Sequence, residues 1–294
     1  MRTDNGFWAF GMIISMVMSL VACGASGAGG VAIGEAPVAM GPPEPLLPGS
    51  AHFVPGESMR FELSLRGILG GEAALGVGVP GERDGKSVVI VRSRVASAGV
   101  VAMFKEVRDE VTTSIDAQTG LPLEHHAEVK FGDKERIINS TFAGGEPGNF
   151  KIEVLRIDRR GRAQYRQAMP DKLAAYDSHA AMGAIRGWRA EPGQHAYLYA
   201  LVGRHLWQNT IRMTGRERVR TRLGAFDAIR IDGVARRMHR NLREDTRKPA
   251  RYYTIWLSDD AQRMPILVTG KTEYGDVKAE LVDYNQPVSL HAGK

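Results

Sequence analysis

The stretch "MRFELSLR" (59–66) decides the fold. Its apolar residues, Met59, Phe61, Leu63 and Leu65, fall on every second position, with polar or charged residues between them. Side chains alternate across a β-strand with a period of two, so these four share one face and the other face meets water. The alternation returns down the chain. "EAALGVGV" (72–79) places Ala73, Leu75, Val77 and Val79 together, "EVRDEVTTSI" (106–115) does so with Val107, Val111 and Ile115, and "LEHHAEVKF" (123–131) with Leu123, Ala127, Val129 and Phe131. Similar runs follow at 151–157, 205–222, 226–234, 251–257, 265–273 and 276–284. Gly70-Gly71, Asp84-Gly85, Thr119-Gly120, Gly132-Asp133 and Gly144-Gly145 supply turn chemistry between them.

One segment reads as helix. "YDSHAAMGAIRGW" (176–188) offers Asp177 or Ser178 as N-cap and Ala180, Met182, Ala184 and Ile185 inside. The expected fold is therefore mainly β. A single large antiparallel sheet over 53–286 curls into an open or partly closed barrel, and the helix covers its apolar concave face. Phe61, Leu63, Leu65, Leu75 and Val77 are the candidate lining of an apolar groove on that face.

Ahead of the β region the chain changes character. "FWAFGMIISMVMSLVA" (7–22) is uncharged and apolar, short for a membrane span of roughly 20 residues and suited to a signal-peptide core. It ends in Leu20-Val21-Ala22-Cys23, which resembles the bacterial lipobox. The resemblance implies cleavage before Cys23 and acylation of that residue, leaving 1–22 as a lipoprotein signal peptide. The competing readings are a buried free cysteine or an uncleaved anchor. Two or three acyl chains would anchor the protein durably, since each buried methylene contributes about 0.8 kcal/mol. Gly24 follows in place of the Asp that retains such proteins at the inner membrane in enteric-type sorting, which favours the outer membrane facing the periplasm. Residues 24–52 are Gly, Ala and Pro with two charges, Glu35 and Glu44, and read as a tether reaching on the order of 30 Å. Residues 287–294 read as a tail.

Composition agrees with a globular protein, and a single cysteine fits both a reducing cytosol and an exported chain, so the N-terminus decides between them. The 294 residues are 43% hydrophobic and 24% charged, and the net charge is +6. The single cysteine excludes an intramolecular disulfide and any multi-cysteine metal site.

The blocks "GILGGEAALGV" (67–77), "KEVRDEVTTSIDAQTGLPL" (105–123), "LGAFDAIRI" (223–231), "TIWLSDDAQRMPILV" (254–268) and "GDVKAELVDY" (275–284) resemble, in order, those of the domain-of-unknown-function 3108 family of bacterial envelope proteins. The resemblance spans about 55–285 and implies an open antiparallel β-barrel, similar in shape to periplasmic lipid carriers of the LolA/LolB group. It implies no chemistry, because the family has none assigned. The chain departs from the pattern at "AGVVAMFK" (98–105), where an aromatic-rich stretch is expected.

Motifs for catalysis are weak. "GVGVPG" (76–81) matches G-x-G-x-x-G but leads into a turn and a strand, whereas dinucleotide binding needs a helix there. "GERDGKS" (81–87) imitates a phosphate loop one residue short, and its Asp84-Gly85 reads as a hairpin turn. Asp259 and Asp260 read as turn formers, since neighbours on a strand diverge. His126 and Glu128 share a strand face without a visible third ligand, and His125 points to the apolar side as a core histidine. There is neither H-E-x-x-H nor G-x-S-x-G. We therefore expect no catalytic residues, no metal and no cofactor. "IRMTGRERVRTRL" (211–223) sets Arg212, Arg216, Arg218, Arg220 and Arg222 on one face. Export and the lack of interleaved aromatics argue against nucleic acid. Anionic lipid or lipopolysaccharide phosphate, met by Arg216, Arg218, Arg220 and Arg222, fits the location, and a solvated strand face that discourages edge aggregation is the plain alternative.

The expected function is a non-enzymatic, lipid-anchored periplasmic protein that holds a hydrophobic envelope molecule or partner in its groove. The alternatives are an envelope scaffold without a small ligand and an envelope hydrolase with dispersed residues.

Overall fold

The computed structural model describes residues 42–286, apart from 105, 145, 157–160, 168, 170–172 and 273–274. The signal segment, Cys23, most of the tether and the tail at 287–294 lie outside the described residues. The chain begins with β1 (Glu44–Pro45), β2 (Ser58–Leu65), β3 (Ile68–Val77), β4 (Gly81–Arg83) and β5 (Lys86–Ser97). A short helix, α1 (Gly99–Phe104), leads into β6 (Val107–Asp116), β7 (Pro122–Phe131), β8 (Lys134–Thr141), β9 (Phe150–Arg156) and β10 (Gly161–Gln167). Then come β11 (Ala175–Tyr176) and the helix α2 (Ser178–Gly187). The rest is β12 (His195–Val202), β13 (His205–Thr221), β14 (Gly224–Arg237), β15 (Arg251–Ser258), β16 (Pro265–Thr272) and β17 (Gly275–Asn285).

Among the described residues these strands make one sheet of 17. The antiparallel registers run β12 to β17 in order, pass from β17 to β2, and continue through β3, β5, β6, β7, β8 and β9 to β10. Leu65 lies opposite Val277 and Phe61 opposite Leu281, so the last strand is a neighbour of the first long one. The sheet is not closed. Side chains bridge its open side: Val111, Ala127, Ile138 and Ile152 from β6 to β9 pack with Tyr199, Leu201 and Leu206 from β12 and β13. The large antiparallel, barrel-like sheet expected from the alternation is what forms.

The main core lies inside the curl and surrounds α2. Asp177 caps the helix, its carboxylate accepting from the Ala180 amide at 2.9 Å. Ala180, Ala181, Met182 and Ile185 are buried against strands of both halves of the sheet. A fully buried Ile185 side chain alone contributes about 1.5–3 kcal/mol. The chain before β2 crosses the helix. Its Phe53 ring lies where a Cβ on Gly183 would come within 2.8 Å, and His52 where one on Gly187 would come within 1.9 Å. These two glycines, one turn apart, let that segment press on the helix backbone.

Some details differ from the sequence reading. The turn before β3 is Arg66-Gly67, with φ of 52° and 81°, and Gly70-Gly71 lies inside the strand. Val79 is exposed, since β3 ends at Val77. The helix α1 is unanticipated, being six residues long with two β-branched valines. The hairpin β13–β14 is longer than its neighbours, and its tip folds over the sheet: the Arg222 amide donates to Glu280 at 2.8 Å and its guanidinium pairs with Glu62.

Candidate functional site

The most concentrated chemistry is a buried polar chain where α2 meets β5, β6 and β7. Ser93, Thr113, His125, Asp177 and His179 are all buried, and none exceeds 8% exposure. Strand register sets Thr113 opposite both Val91 and His125, so the network lies on the inner face beside the apolar core. Thr113 donates its hydroxyl proton to the Asp177 carboxylate. Its oxygen is then left to accept from His179 Nδ1 at 2.8 Å, which makes His179 Nε2 the acceptor of the Ser93 hydroxyl at 2.8 Å. His125 Nδ1 donates to the same Asp177 oxygen at 2.9 Å. Burial holds the His179 imidazole at about 4, so it is neutral at ordinary pH. Burial pushes the Asp177 carboxyl up, but bonds and charge from His125, with His179 and Thr113, more than offset this and leave it low.

The order serine, histidine, acid suggests a hydrolytic triad, but the parts differ. Thr113 stands between His179 and Asp177, so the carboxylate does not orient the imidazole directly. A base held near 4 takes a serine proton poorly. What the network does in this state is join α2 to three strands with every shared proton placed.

A second buried contact fixes the other end of α2. Arg186 and Glu57, 1% and 0% exposed, form a two-pronged ion pair, and Arg186 also donates to the Gln262 carbonyl at 2.9 Å.

The residues singled out from sequence are placed as follows. Phe61, Leu63, Leu75 and Val77 are buried in the core around α2, and Leu65 packs at its margin. As packed, they are covered by protein, and a groove along them would require the helix to move. Arg216 pairs with Asp259 at 3.0 Å, Arg218 with Asp227 at 3.3 Å and Arg222 with Glu62, while Arg220 is exposed. The arginine face is thus an outer surface whose charges are largely matched. His126 does reach Glu128, at 3.2 Å, and also Asn139 at 2.7 Å. Among the described residues no group of three His, Cys, Asp or Glu is arranged to hold a metal. Asp84 and Gly85, with φ of 51° and 73°, turn β4 into β5, and Asp260 accepts from the amides of Gln262 and Arg263, as turn residues do.

Residues 60–282 match the family model described as "Protein of unknown function (DUF3108)". The chain belongs to the DUF3108 family. No curated protein matches it. Among solved structures it is similar to a β-barrel-like protein of the DUF1849 family from Brucella abortus, with 13% identity over 79% of this chain and 98% of that one and a TM-score of 0.49. A candidate exported protein with YmcC-like fold from Bacteroides fragilis shares 8% identity over 81% and 100%, with a TM-score of 0.37. A candidate lipoprotein from Parabacteroides distasonis shares 9% identity over 81% and 99%, with a TM-score of 0.38.

Two surfaces of this DUF3108 domain lie at one end of the sheet, and the first of them was not singled out from sequence. Antiparallel alternation puts the β2–β3, β5–β6, β12–β13, β14–β15 and β16–β17 connections on the same rim. There Ile68 is 62% exposed and Met103 on α1 83% exposed, with Leu69 less exposed at 38%. The α1 segment adjoins the β2–β3 turn, since the Ala98 amide donates to Gly70 at 3.1 Å. The signal was present in the sequence as the apolar Ile68, Leu69 and Met103, but only the topology places all three at one rim. The second surface is the basic loop between β14 and β15.

Proposed function

We propose that this chain is a lipid-anchored, non-catalytic protein of the cell envelope, held through Cys23 and docking on envelope lipid through the rim that carries Ile68, Leu69 and Met103. The exposure of those three apolar residues on one rim carries the reading, since exposed apolar surface at one end of a barrel suits an interaction site. The lipobox and the tether support it by keeping a bilayer within reach. Among the described residues no helix is long and apolar enough to cross a membrane, so contact through a rim suits an anchored domain. The packed state of Phe61, Leu63, Leu75 and Val77 weighs against a standing groove and moves the apolar contact from the inside of the barrel to its end. The low proton affinity of His179 weighs against the hydrolase alternative.

Flotation of the Cys23→Ser chain with phosphatidylcholine vesicles tests the docking. Burying Ile68 and Met103 contributes about 1.5–3 kcal/mol each, so Ile68→Glu/Met103→Glu should lower the bound fraction at least tenfold with the melting temperature unchanged. A parent chain that does not float, or a variant that floats equally well, refutes the docking and favours a scaffold without a lipid ligand.

A further inference from the structure

The inner-face row that holds Thr113 and His125 runs on to a serine. Thr113 on β6, His125 on β7, Ser140 on β8 and Ile152 on β9 lie opposite one another in turn. Along β8, Ile138 and Ser140 are buried while Asn139 and Thr141 are exposed, so the Ser140 hydroxyl is on the inner face. Ser140 is 2% exposed, and among the described residues its hydroxyl has no hydrogen-bond partner. A buried polar group left unpaired costs free energy, and native interiors keep few of them.

The neighbouring imidazole is already oriented. His125 Nδ1 lies 2.9 Å from the Asp177 carboxylate and 3.4 Å from Thr113 Oγ1. The two ring nitrogens point apart, so Nε2 is turned away from Thr113, to the side of β8. Side chains directly opposite on paired strands stand about 4.5–5.5 Å apart at Cβ. The Ser140 hydroxyl does not bond to the ring, so the two residues present separate polar atoms to a third group.

A carboxyl group fits that pair. One oxygen meets Nε2, donating to it as an acid or accepting from it as a carboxylate, and the other accepts from Ser140. Asp177 holds the ring in place for either case. A hydroxyl offers one oxygen for both contacts and fits less well. The surroundings are apolar: Ile138 and Ile152 flank Ser140 and pack with Tyr199 and Leu201 from β12. The sheet is not closed there, and side chains rather than a ladder span the gap. An alkyl chain therefore enters by displacing side chains and breaks no strand pairing.

We propose that Ser140 and His125 seat the carboxyl group of a fatty acid whose alkyl chain lies in the second apolar core, on the open side of the sheet. The seat shares no residue with the rim of Ile68, Leu69 and Met103 and goes beyond the docking proposed there.

Calorimetric titration of the Cys23→Ser chain with decanoate tests the seat, with decanol as the matched chain that lacks a carboxyl. Decanoate should bind once per chain, about tenfold more tightly than decanol or better. Ser140→Ala should weaken decanoate by about tenfold or more. Its melting temperature should be unchanged or raised, because the deleted hydroxyl has no partner to lose. Ile68→Glu/Met103→Glu should leave decanoate binding within about twofold, so loss of vesicle docking and loss of this site are told apart. Failure of decanoate to bind, equal binding of decanol, or undiminished binding by Ser140→Ala overturns the assignment.

Discussion

Glu57 and Arg186 face each other inside the protein, with Arg186 Nη1 2.5 Å from one carboxylate oxygen and Nη2 3.1 Å from the other. The Tyr284 hydroxyl donates to Glu57 at 3.3 Å, and the Phe53 ring lies 5.3 Å from the guanidinium. The pair therefore ties the segment before β2, the end of α2 and the last strand to one point. Removing one partner strands a buried charge, which costs about 3–5 kcal/mol. Arg186→Met should lose that much in urea unfolding, and Glu57→Gln/Arg186→Met should recover part of it. A double variant no more stable than the single one would show that packing of the arginine stem, rather than charge, makes the contact.

Acid should loosen the junction between α2 and the sheet. The His179 imidazole is held at about 4 in the folded chain against an ordinary 6.5, so between those values the unfolded chain binds the extra proton. Its contribution is complete above about 6.5 and is lost as pH falls toward 4, amounting to about 3 kcal/mol. His205 works in the same direction, with its imidazole at about 3. The lowered Asp177 carboxyl adds stability that is present above its unfolded value, near 4, and is lost as pH falls further. Melting temperature should drop between pH 7 and pH 4.5. His179→Gln should melt lower at pH 7 and show a shallower slope, and an unchanged slope would place the acid sensitivity elsewhere.

The close crossing at Gly187 predicts an unusual glycine effect. Alanine is the better helix former by about 1 kcal/mol. Here its Cβ would fall 1.9 Å from the His52 ring, so Gly187→Ala should destabilise by about 1–3 kcal/mol. Thermal melts of Gly187→Ala beside His52→Ala/Gly187→Ala separate the causes, because the second substitution removes the ring and should restore most of the loss.

The proposed anchoring through Cys23 has a direct chemical readout. Cys23→Ser should abolish metabolic labelling with palmitate and release the protein into the soluble periplasmic fraction. Labelling that persists in the variant would place the acyl chain elsewhere.

The strands were legible because alternation is a local property. "MRFELSLR" reads as a strand without knowing its partner, and Met59, Phe61 and Leu63 are buried as the pattern requires. The helix start was legible for the same reason, to within Asp177 or Ser178, and Asp177 is the cap. Contacts between distant segments were not. Ser93 and His179 are 86 residues apart, and nothing near either one signals the other. His125 read correctly as a core histidine, but the acid it serves arrives from the start of α2. The five groove candidates were rightly placed on an apolar face; that the helix fills this face depends on how far the sheet curls, which no short window encodes. The partners of the arginine run were hidden for a related reason, since Asp259, just past β15, and Glu62 on β2 come to it from distant segments.

The seam between β17 and β2 governs the order of assembly. Strands from β2 to β10 and from β12 to β17 form two runs that join along this pairing. Until residues 275–285 are available, β2 keeps a free edge of unpaired amides and carbonyls, and α2 lacks part of its enclosure. Such an edge invites pairing with other chains, and ladders between segments this distant in sequence form slowly. On the proposed envelope location, a chain crossing a membrane would have reason to stay unfolded until residues 275–285 are through. Loss of that strand should yield an aggregating chain rather than a smaller barrel.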